Sequence, residues 1–472
     1  MGGRPPTRAG GTHGVDRPIR HSPVTAAPAA SPPWDVPADD PGWSLEPSPK
    51  YAGHGVVRVV PPAETVRRVT PLMDIVGVTR VAEVTGLDRV GIPNYTSVRP
   101  RERGPGISYY NGKGTTRSAA HAGALMEAVE RYSAECCDLP VRVATAAELR
   151  ASGPVVDPAG LVVPPVAGYD PDRPLEWVTG TDLLSGEPTA VPLGAVVCPY
   201  EPPPGLPVVH AAHTNGLASG NTREEALCHA LCELVERDAA ALADAVLDLA
   251  PAAARLLGTA EALRPPAQFP LVDLETLPRR ALVLVHRLER AGLRVYLRDV
   301  TCTAGVLALS CAIVEPHPGG EYLAHGGAGA HPDARVAVCR ALTEAAQSRV
   351  GHIQGGREDL PGMVGPPRSF DPEEVFGRGP VVPFGTLPSR ENAGIDEDVR
   401  EVLRGLRRDG FGQVVALDLT RPEVGVPVVR VVVPGIEAWS VFYSHTRRSL
   451  LGPRANAALV AALRGEAVPC PT

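Results

Sequence analysis

Apolar positions recur at helical spacing in long windows of the chain, separated by short apolar runs bounded by prolines and glycines. The first window, Ser118 to Cys136, carries Ala119, Ala122, Leu125, Met126 and Val129 as one stripe. The second runs from Thr222 to about Leu247, where Thr222 and Glu225 have the spacing of an N-cap and its capping box. The third, Asp333 to Val350, follows a glycine-rich stretch, Gly326 to Pro332, that reads as a turn. Shorter helices are predicted over Pro61 to Thr79, Ala281 to Ala291 and Asp396 to Arg408. Strands are predicted at Tyr95 to Arg99, Ile107 to Tyr110, Leu161 to Val163, Ala195 to Val197, Arg294 to Asp299, Val306 to Val314, Gln413 to Asp418 and Val428 to Val433. The order is no regular strand–helix alternation. The expected class is α+β (mixed α/β), with long helices packed on a mostly antiparallel sheet.

Two of the long helices echo each other. LMEAVERY in the first is repeated as LCELVERD in the second, a loose internal duplication. In the first, Glu127, Glu130 and Arg131 lie at about 0°, 300° and 40° on a helical wheel, hence on one face. Glu233, Glu236 and Arg237 repeat that spacing. Paired carboxylates on one turn repel each other unless a cation lies between them, and here they are interleaved with Leu and Val at core spacing. Either they form a solvated ion-pair face, or they hold a divalent metal together with phosphate oxygens, as magnesium sites do. Gly112-Lys113-Gly114 reads as a turn ahead of the first helix, and it resembles a P-loop in outline only. The spacing from Gly106 is one residue too long, and Gly114 stands where Ser or Thr is needed. Backbone amides near a helix start with one lysine remain the general ingredients of phosphate binding. In the third helix Arg340, Glu344 and Gln347 share a face at i, i+4, i+7; either they form a surface ion pair, or Arg340, next to two acidic helices, neutralises a terminal phosphate. His229 stands four residues before Glu233. A zinc reading of His229 with Cys228 and Cys232 lacks ligands, and a polar contact or a satisfied core histidine is the expectation.

Composition narrows the class. Of 472 residues, 44% are apolar, enough for a substantial core, but only 4% are aromatic, so Ala and Val do most of the packing. The net charge of −7 gives no basic footprint for nucleic acid. The nine cysteines include no C-x-x-C pair, and an odd count in a large chain suits a reducing cytoplasm. No apolar run reaches membrane-spanning length, and no secretory h-region is present. Residues 1–55 are rich in Pro, Ala and Gly and read as a disordered leader. Residues 56–465 read as one domain, and 466–472 as a short proline-containing tail.

GKG (Gly112 to Gly114), EAVER (Glu127 to Arg131), NGLASGNT (Asn215 to Thr222), ALCELVERDA (Ala230 to Ala239), GAGAHPDARVAVCRALTEAAQSR (Gly327 to Arg349) and RVVVPGIE (Arg430 to Glu437) occur in that order. Through them the chain resembles the YcaO superfamily of ATP-dependent enzymes, over roughly Arg80 to Arg454. The resemblance implies a mixed α/β catalytic domain and a nucleotide site unlike a P-loop, with ATP and Mg2+ as cofactors. By motif, Lys113, Ser118, His229, Arg340, Glu344 and Gln347 fall on ATP-binding positions, and Glu127, Glu130, Glu233 and Glu236 on magnesium positions. No protein nucleophile is implied. One departure is Gly123, where family members usually carry serine; Ser118 or Thr116 would then supply the hydroxyl.

The resemblance also implies the chemistry. A nucleophile adds to a peptide carbonyl, ATP phosphorylates the oxyanion, and phosphate leaves. External sulfide gives a thioamide, a neighbouring Cys, Ser or Thr gives an azoline, and an amine gives an amidine. LDRVGIP (Leu87 to Pro93), VRP (Val98 to Pro100) and YYNGKG are similar to stand-alone members that work with a TfuA-type protein, so thioamide formation on a ribosomally made precursor peptide is the leading expectation. Cyclodehydration is the alternative, motivated by Pro469-Cys470-Pro471, and a non-catalytic docking subunit is another. A separate partner protein, TfuA-like or leader-peptide-binding, is expected because no fused recognition domain is read ahead of the enzyme domain. A homodimer stays open.

Overall fold

Three sheets carry the helices. A 3-stranded sheet joins β1 (Arg80–Glu83), β2 (Asn94–Val98) and β3 (Tyr109–Lys113) in that order. A 6-stranded sheet contains β4 (Arg142–Ala144), β5 (Leu175–Asp182), β6 (Pro188–Pro192), β7 (Leu217–Ser219), β13 (Val415–Asp418) and β14 (Val428–Val432). A 5-stranded sheet has the order β11 (Tyr322–His331), β10 (Leu307–Pro316), β9 (Arg294–Asp299), β8 (Leu271–Asp273) and β12 (Val381–Pro383). The strand pairs are antiparallel except β12 on β8, which is parallel. The mostly antiparallel expectation holds.

In this computed structural model the described residues are 43–51, 57–100, 107–135, 138–161, 169–207, 213–259, 268–358, 367–437 and 451–467. They all belong to one compact unit, Val36–Thr472, and Met1–Asp35 lies outside them. The loop expected at Arg101 to Pro105, the Cys136-Cys137 pair, part of the strand expected at Leu161 to Val163, and the end of the tail also lie outside the described residues.

The longer helices are α1 (Pro62–Val69), α2 (Arg117–Ala134), α3 (Arg223–Asp244), α4 (Arg279–Arg290), α5 (Ala334–Gln354), α6 (Ile395–Arg408) and α7 (Pro453–Arg464). Thr116 caps α2 by accepting the Ala119 N–H (3.2 Å), and Thr222 caps α3 by accepting the Glu225 N–H (3.2 Å). The Glu225 half of the expected box is spent elsewhere. Its carboxylate takes the Val59 N–H and faces Arg58. None of the helices is long and apolar enough to cross a membrane among the described residues.

Several local expectations are corrected. Gly112 and Lys113 belong to β3 rather than to a turn, and Gly326 to His331 continue β11 into the start of α5. Glycine favours turns, but both groups serve close approach instead. A Cβ on Gly112 would lie 2.0 Å from the Ala120 carbonyl oxygen and 2.2 Å from the Ala124 nitrogen. On Gly327 it would lie 2.1 Å from the Ala345 nitrogen, and on Gly329 2.2 Å from the Ala337 oxygen. Helices α2 and α5 therefore lie backbone-to-backbone on β3 and β11. Ala195 closes a short 3₁₀ turn, Leu193–Ala195, not a strand. Helix α7 was missed because its buried stripe is alanine (Ala455, Ala458, Ala461), which gives little hydrophobic signal.

Residues 43–51, assigned by composition to the disordered leader, are also placed. The Ser48 N–H donates to Asp396 (3.0 Å), the Lys50 ammonium pairs with Asp398 (2.7 Å), and Arg223 stacks on Trp43. Few apolar residues are needed for this, which is why a hydrophobicity pattern does not see it.

Candidate functional site

The facing surfaces of α2, α3 and α5 bring most of the motif residues together. On α2, Glu127 accepts the Asn111 N–H from β3 (3.1 Å) and lies 3.4 Å from Arg131. On α3, Glu233 accepts the Gly216 N–H (3.2 Å) and Glu236 accepts the Ala330 N–H from β11 (3.1 Å). Glu127 and Glu236 are thus pinned to β3 and β11, and Glu233 to the turn that leads into β7. That fixes their direction in a way that helical spacing alone cannot.

Two lobes result. The acidic lobe joins Glu127, Glu130 and Glu233 across α2 and α3. Glu130 is 9% exposed, and burial pushes its carboxyl well above the usual range; Arg131 opposes this, while Glu233 and Glu127 add to it. The second lobe is mixed. Lys113 on β3 pairs with Glu344 on α5, and Arg340 reaches Glu236 at 3.3 Å. Burial raises the Glu236 carboxyl and Glu344 raises it further, against Arg340, Lys113 and Arg237. Glu344 goes the other way: burial resists, but Lys113 and Arg340 hold it below the usual carboxylate range. Glu236 and Glu344 form one coupled system.

His229 borders the mixed lobe. Burial keeps its imidazole neutral, and Arg340, Arg58 and Lys113 add to the effect. It is a polar neighbour rather than a charge. The Nε of Arg340 is buried without a partner among the described residues, a donor aimed at something else. Gln347 stands one turn beyond Glu344 on α5 and is partly buried. Ser118 is not gathered in. Its hydroxyl lies 3.2 Å from that of Thr116 at the start of α2, about 14 Å along the helix from Glu127.

The donor set fits magnesium. The acidic lobe offers carboxylate oxygens alone, the hard ligands such a cation takes. Burial of its central acid, Glu130, favours the neutral form, which a bound cation would oppose. The mixed lobe, with Lys113 and the unspent Arg340 donor, fits phosphate oxygens. Gly123 has a different role from the one its serine counterpart suggests. A Cβ there would sit 3.2 Å from the Gly112 Cα, so the position faces β3 and the helix–strand contact.

Sequence reasoning left out several polar groups. Asn221 donates to Glu225 (2.8 Å) and accepts from Thr65 (2.9 Å) at the start of α3. Buried Arg430 on β14 and buried Asn215, with half-buried His213, form a polar cluster next to the acidic lobe. The NGLASGNT and RVVVPGIE motifs marked these places without showing that they converge. The cysteine pair gains a neighbour too: ligand atoms of Cys228, Cys232 and His331 lie within 4.8 Å of one another. But His331 Nδ1 accepts the Asp333 N–H (2.9 Å), which leaves the ring proton on Nε2, 3.6 Å from Asp398. The ring has no lone pair to spare, so the cluster reads as packing.

Residues 111–437 match the family described as YcaO cyclodehydratase, ATP- and Mg2+-binding. An uncharacterised protein of Methanothermobacter thermautotrophicus is 36% identical over 400 residues, covering 81% of this chain and 96% of that protein. An uncharacterised protein in the tfuA 3′ region of Rhizobium leguminosarum bv. trifolii is 35% identical over 401 residues, covering 80% and 88%. Among solved structures, YcaO from Methanopyrus kandleri bound with AMPPCP and Mg2+ superposes with a TM-score of 0.64 at 28% identity, covering 86% of this chain and 98% of that one.

Proposed function

The chain belongs to the YcaO family, an ATP- and Mg2+-binding family, and from that premise we propose that it activates a peptide backbone amide by phosphorylation, forming a thioamide on a ribosomally made peptide. The observation that carries the reading is the convergence of two lobes from three helices: Glu127, Glu130 and Glu233 on one side, Lys113 with Glu344 and Arg340 with Glu236 on the other. Glu127, Glu130, Glu233 and Glu236 would hold magnesium. Lys113, Arg340, Glu344 and Gln347 would border the polyphosphate, with His229 as a neutral neighbour and Ser118 at the outer edge. Magnesium, when bound, offsets the phosphate charge.

The chain's own residues do three things. Lys113 and Arg340 add fixed positive charge where phosphoryl oxygens lie. The backbone-anchored glutamates keep that geometry rigid, so little reorganisation is needed during transfer. His229 stays uncharged and does not compete for the phosphate. In the overall reaction the amide, hydrosulfide and ATP give the thioamide, ADP and phosphate. The amide oxygen leaves in the phosphate, and no redox partner is required.

The sulfide branch is supported by the relative in the tfuA 3′ region, and a TfuA-like partner goes with it. The second reading, azoline formation by cyclodehydration, is supported by the family's description as cyclodehydratase. One experiment separates them: incubate the chain with its precursor peptide, partner, Mg-ATP and sulfide, and weigh the product. Exchange of oxygen for sulfur supports the thioamide; loss of water with no sulfur gained supports the azoline. If neither ADP nor a modified peptide forms, and Mg-ATP does not bind by calorimetry, the enzyme reading falls and a docking subunit takes its place.

A further inference from the structure

A cavity of about 40 Å³ lies beside the acidic lobe, lined by Ala195, His213, Asn215, Leu234, Arg430 and Ile436 among others. Its walls are mostly apolar, and three of the polar side-chain atoms in its lining residues lack a hydrogen-bond partner among the described residues. Arg430 is 1% exposed. Its Nε donates to the Ala195 carbonyl (2.8 Å) and its Nη2 lies 3.4 Å from His213 Nδ1, but its Nη1 has no partner among the described residues. Arg430 also forms no ion pair among the described residues. Asn215, likewise 1% exposed, has neither side-chain amide atom hydrogen-bonded among the described residues: both Nδ2 and Oδ1 are orphaned. A buried guanidinium and a buried amide left open in this way are costly unless something occupies the space.

The occupant is constrained by size, charge and hydrogen-bond pattern. The cavity has room for about three waters, or one small anion with little else, but not for a stretch of peptide. Burial lowers Arg430 to about 10, which still leaves it charged at neutral pH. The charge calls for an anion, and the apolar walls favour a weakly hydrated, monovalent one over phosphate. A halide would accept from Arg430 Nη1 and Asn215 Nδ2 but leave Asn215 Oδ1 unsatisfied. Hydrosulfide accepts from both and donates its S–H to that oxygen.

We propose that this cavity is a binding site for hydrosulfide, the sulfur nucleophile of the reaction, held by Arg430 and Asn215 next to Glu233 and Glu130. The proposal rests on the thioamide reading. The bonding change is simple: a C–S bond forms at the peptide carbonyl, the C–O bond breaks as phosphate departs, and the S–H proton leaves with the phosphate. Glu130 and Glu233 are near neighbours of Arg430, so the site lies against the residues proposed to hold magnesium. Cation binding there makes the pocket more receptive to an anion.

The test uses the full chain and two probes, sodium hydrosulfide under anaerobic conditions and bromide as a heavy surrogate. Crystals soaked in bromide are expected to show an anomalous peak between Arg430 and Asn215, displaced by hydrosulfide. Asn215→Asp, isosteric but repelling anions, is expected to raise the KM for sulfide by about tenfold or more, the loss of one charge-assisted hydrogen bond, while the KM for ATP stays unchanged. Arg430→Lys is a second variant, and Asn215→Asp guards against its failing to fold. A thioamide product whose sulfide KM is indifferent to Asn215→Asp, or a peak that hydrosulfide does not displace, overturns the site and leaves the thioamide reading standing. An azoline product formed without sulfide overturns the reading itself, and the hydrosulfide assignment with it. Occupancy of the cavity by a carbonyl of the bound peptide would equally overturn it.

Discussion

At the scale of single residues, the acids differ by environment rather than by type. Glu130 is the most burdened, since burial and its neighbours Glu233 and Glu127 all favour its neutral form over the opposition of Arg131. Because its folded pKa is raised, the folded protein keeps that proton above the ordinary carboxylate range, and stability contributed by the neutral form is lost as pH rises through the raised value. Magnesium requires the carboxylate. Calorimetry in buffers of different ionisation enthalpy should therefore show proton release on Mg2+ binding, with affinity increasing with pH, and Glu130→Gln should abolish the release. Glu127→Gln and Glu233→Gln should lower ADP formation by about 100-fold or more, the scale on which one electrostatic partner of a transferring group counts. Unchanged turnover in both variants would move the site elsewhere. Gly123→Ser should alter Mg-ATP affinity by less than about threefold, because a side chain there meets Gly112 across the helix–strand contact; the principle at work is packing, not ligation.

At the scale of elements, the close seating of α2 on β3 and of α5 on β11 sets where the acids and bases point. Gly112→Ala forces a Cβ into the Ala120 carbonyl oxygen and the Ala124 nitrogen, both backbone atoms. It should cost about 3 kcal/mol or more in denaturant unfolding, the upper range for overpacking, and should weaken Mg-ATP binding by moving Lys113 and Glu127 together. The end of α3 provides a second prediction. Burial, with Asp248 nearby, raises Asp244 to about 8. Its folded state holds a proton that the unfolded chain releases near 3.8, so stability is lost as pH climbs between those values. Asp244→Asn removes this penalty. Its stabilising effect, followed by thermal unfolding, should grow from pH 5 to pH 8, by at most about 1.4 kcal/mol per pH unit for one proton.

At the scale of the whole molecule, the segment 43–51 ties distant parts of the chain. Lys50 meets Asp398, which is fully buried on α6, and Ser48 meets Asp396. Lys50→Ala would leave the Asp398 carboxylate without its cation and should cost about 3 kcal/mol, the typical loss when one partner of a buried pair is removed. Adding Asp398→Asn should recover most of it, and a double-mutant cycle measures the coupling. No recovery would mean that Lys50 acts through packing alone.

The sequence by itself determined the long helices, the cap at Thr222, the duplicated acid pairs, and the family. These are local or repeated signals: helical period, capping residues, and motifs in a fixed order. It did not show that Gly112, Gly327 and Gly329 are strand residues, because a glycine selected for close backbone approach looks the same in sequence as one selected for a turn. It left Glu225 as half of a capping box, although Arg58 and Val59, far away in the chain, claim that carboxylate. Only the tertiary structure decided how the acids divide between two lobes, that Lys113 pairs with Glu344, and that Arg430 and Asn215 share a cavity. Those facts depend on contacts across more than a hundred residues, and on burial, which sets whether a carboxyl is charged and whether a guanidinium has a partner. Spacing along a chain carries neither.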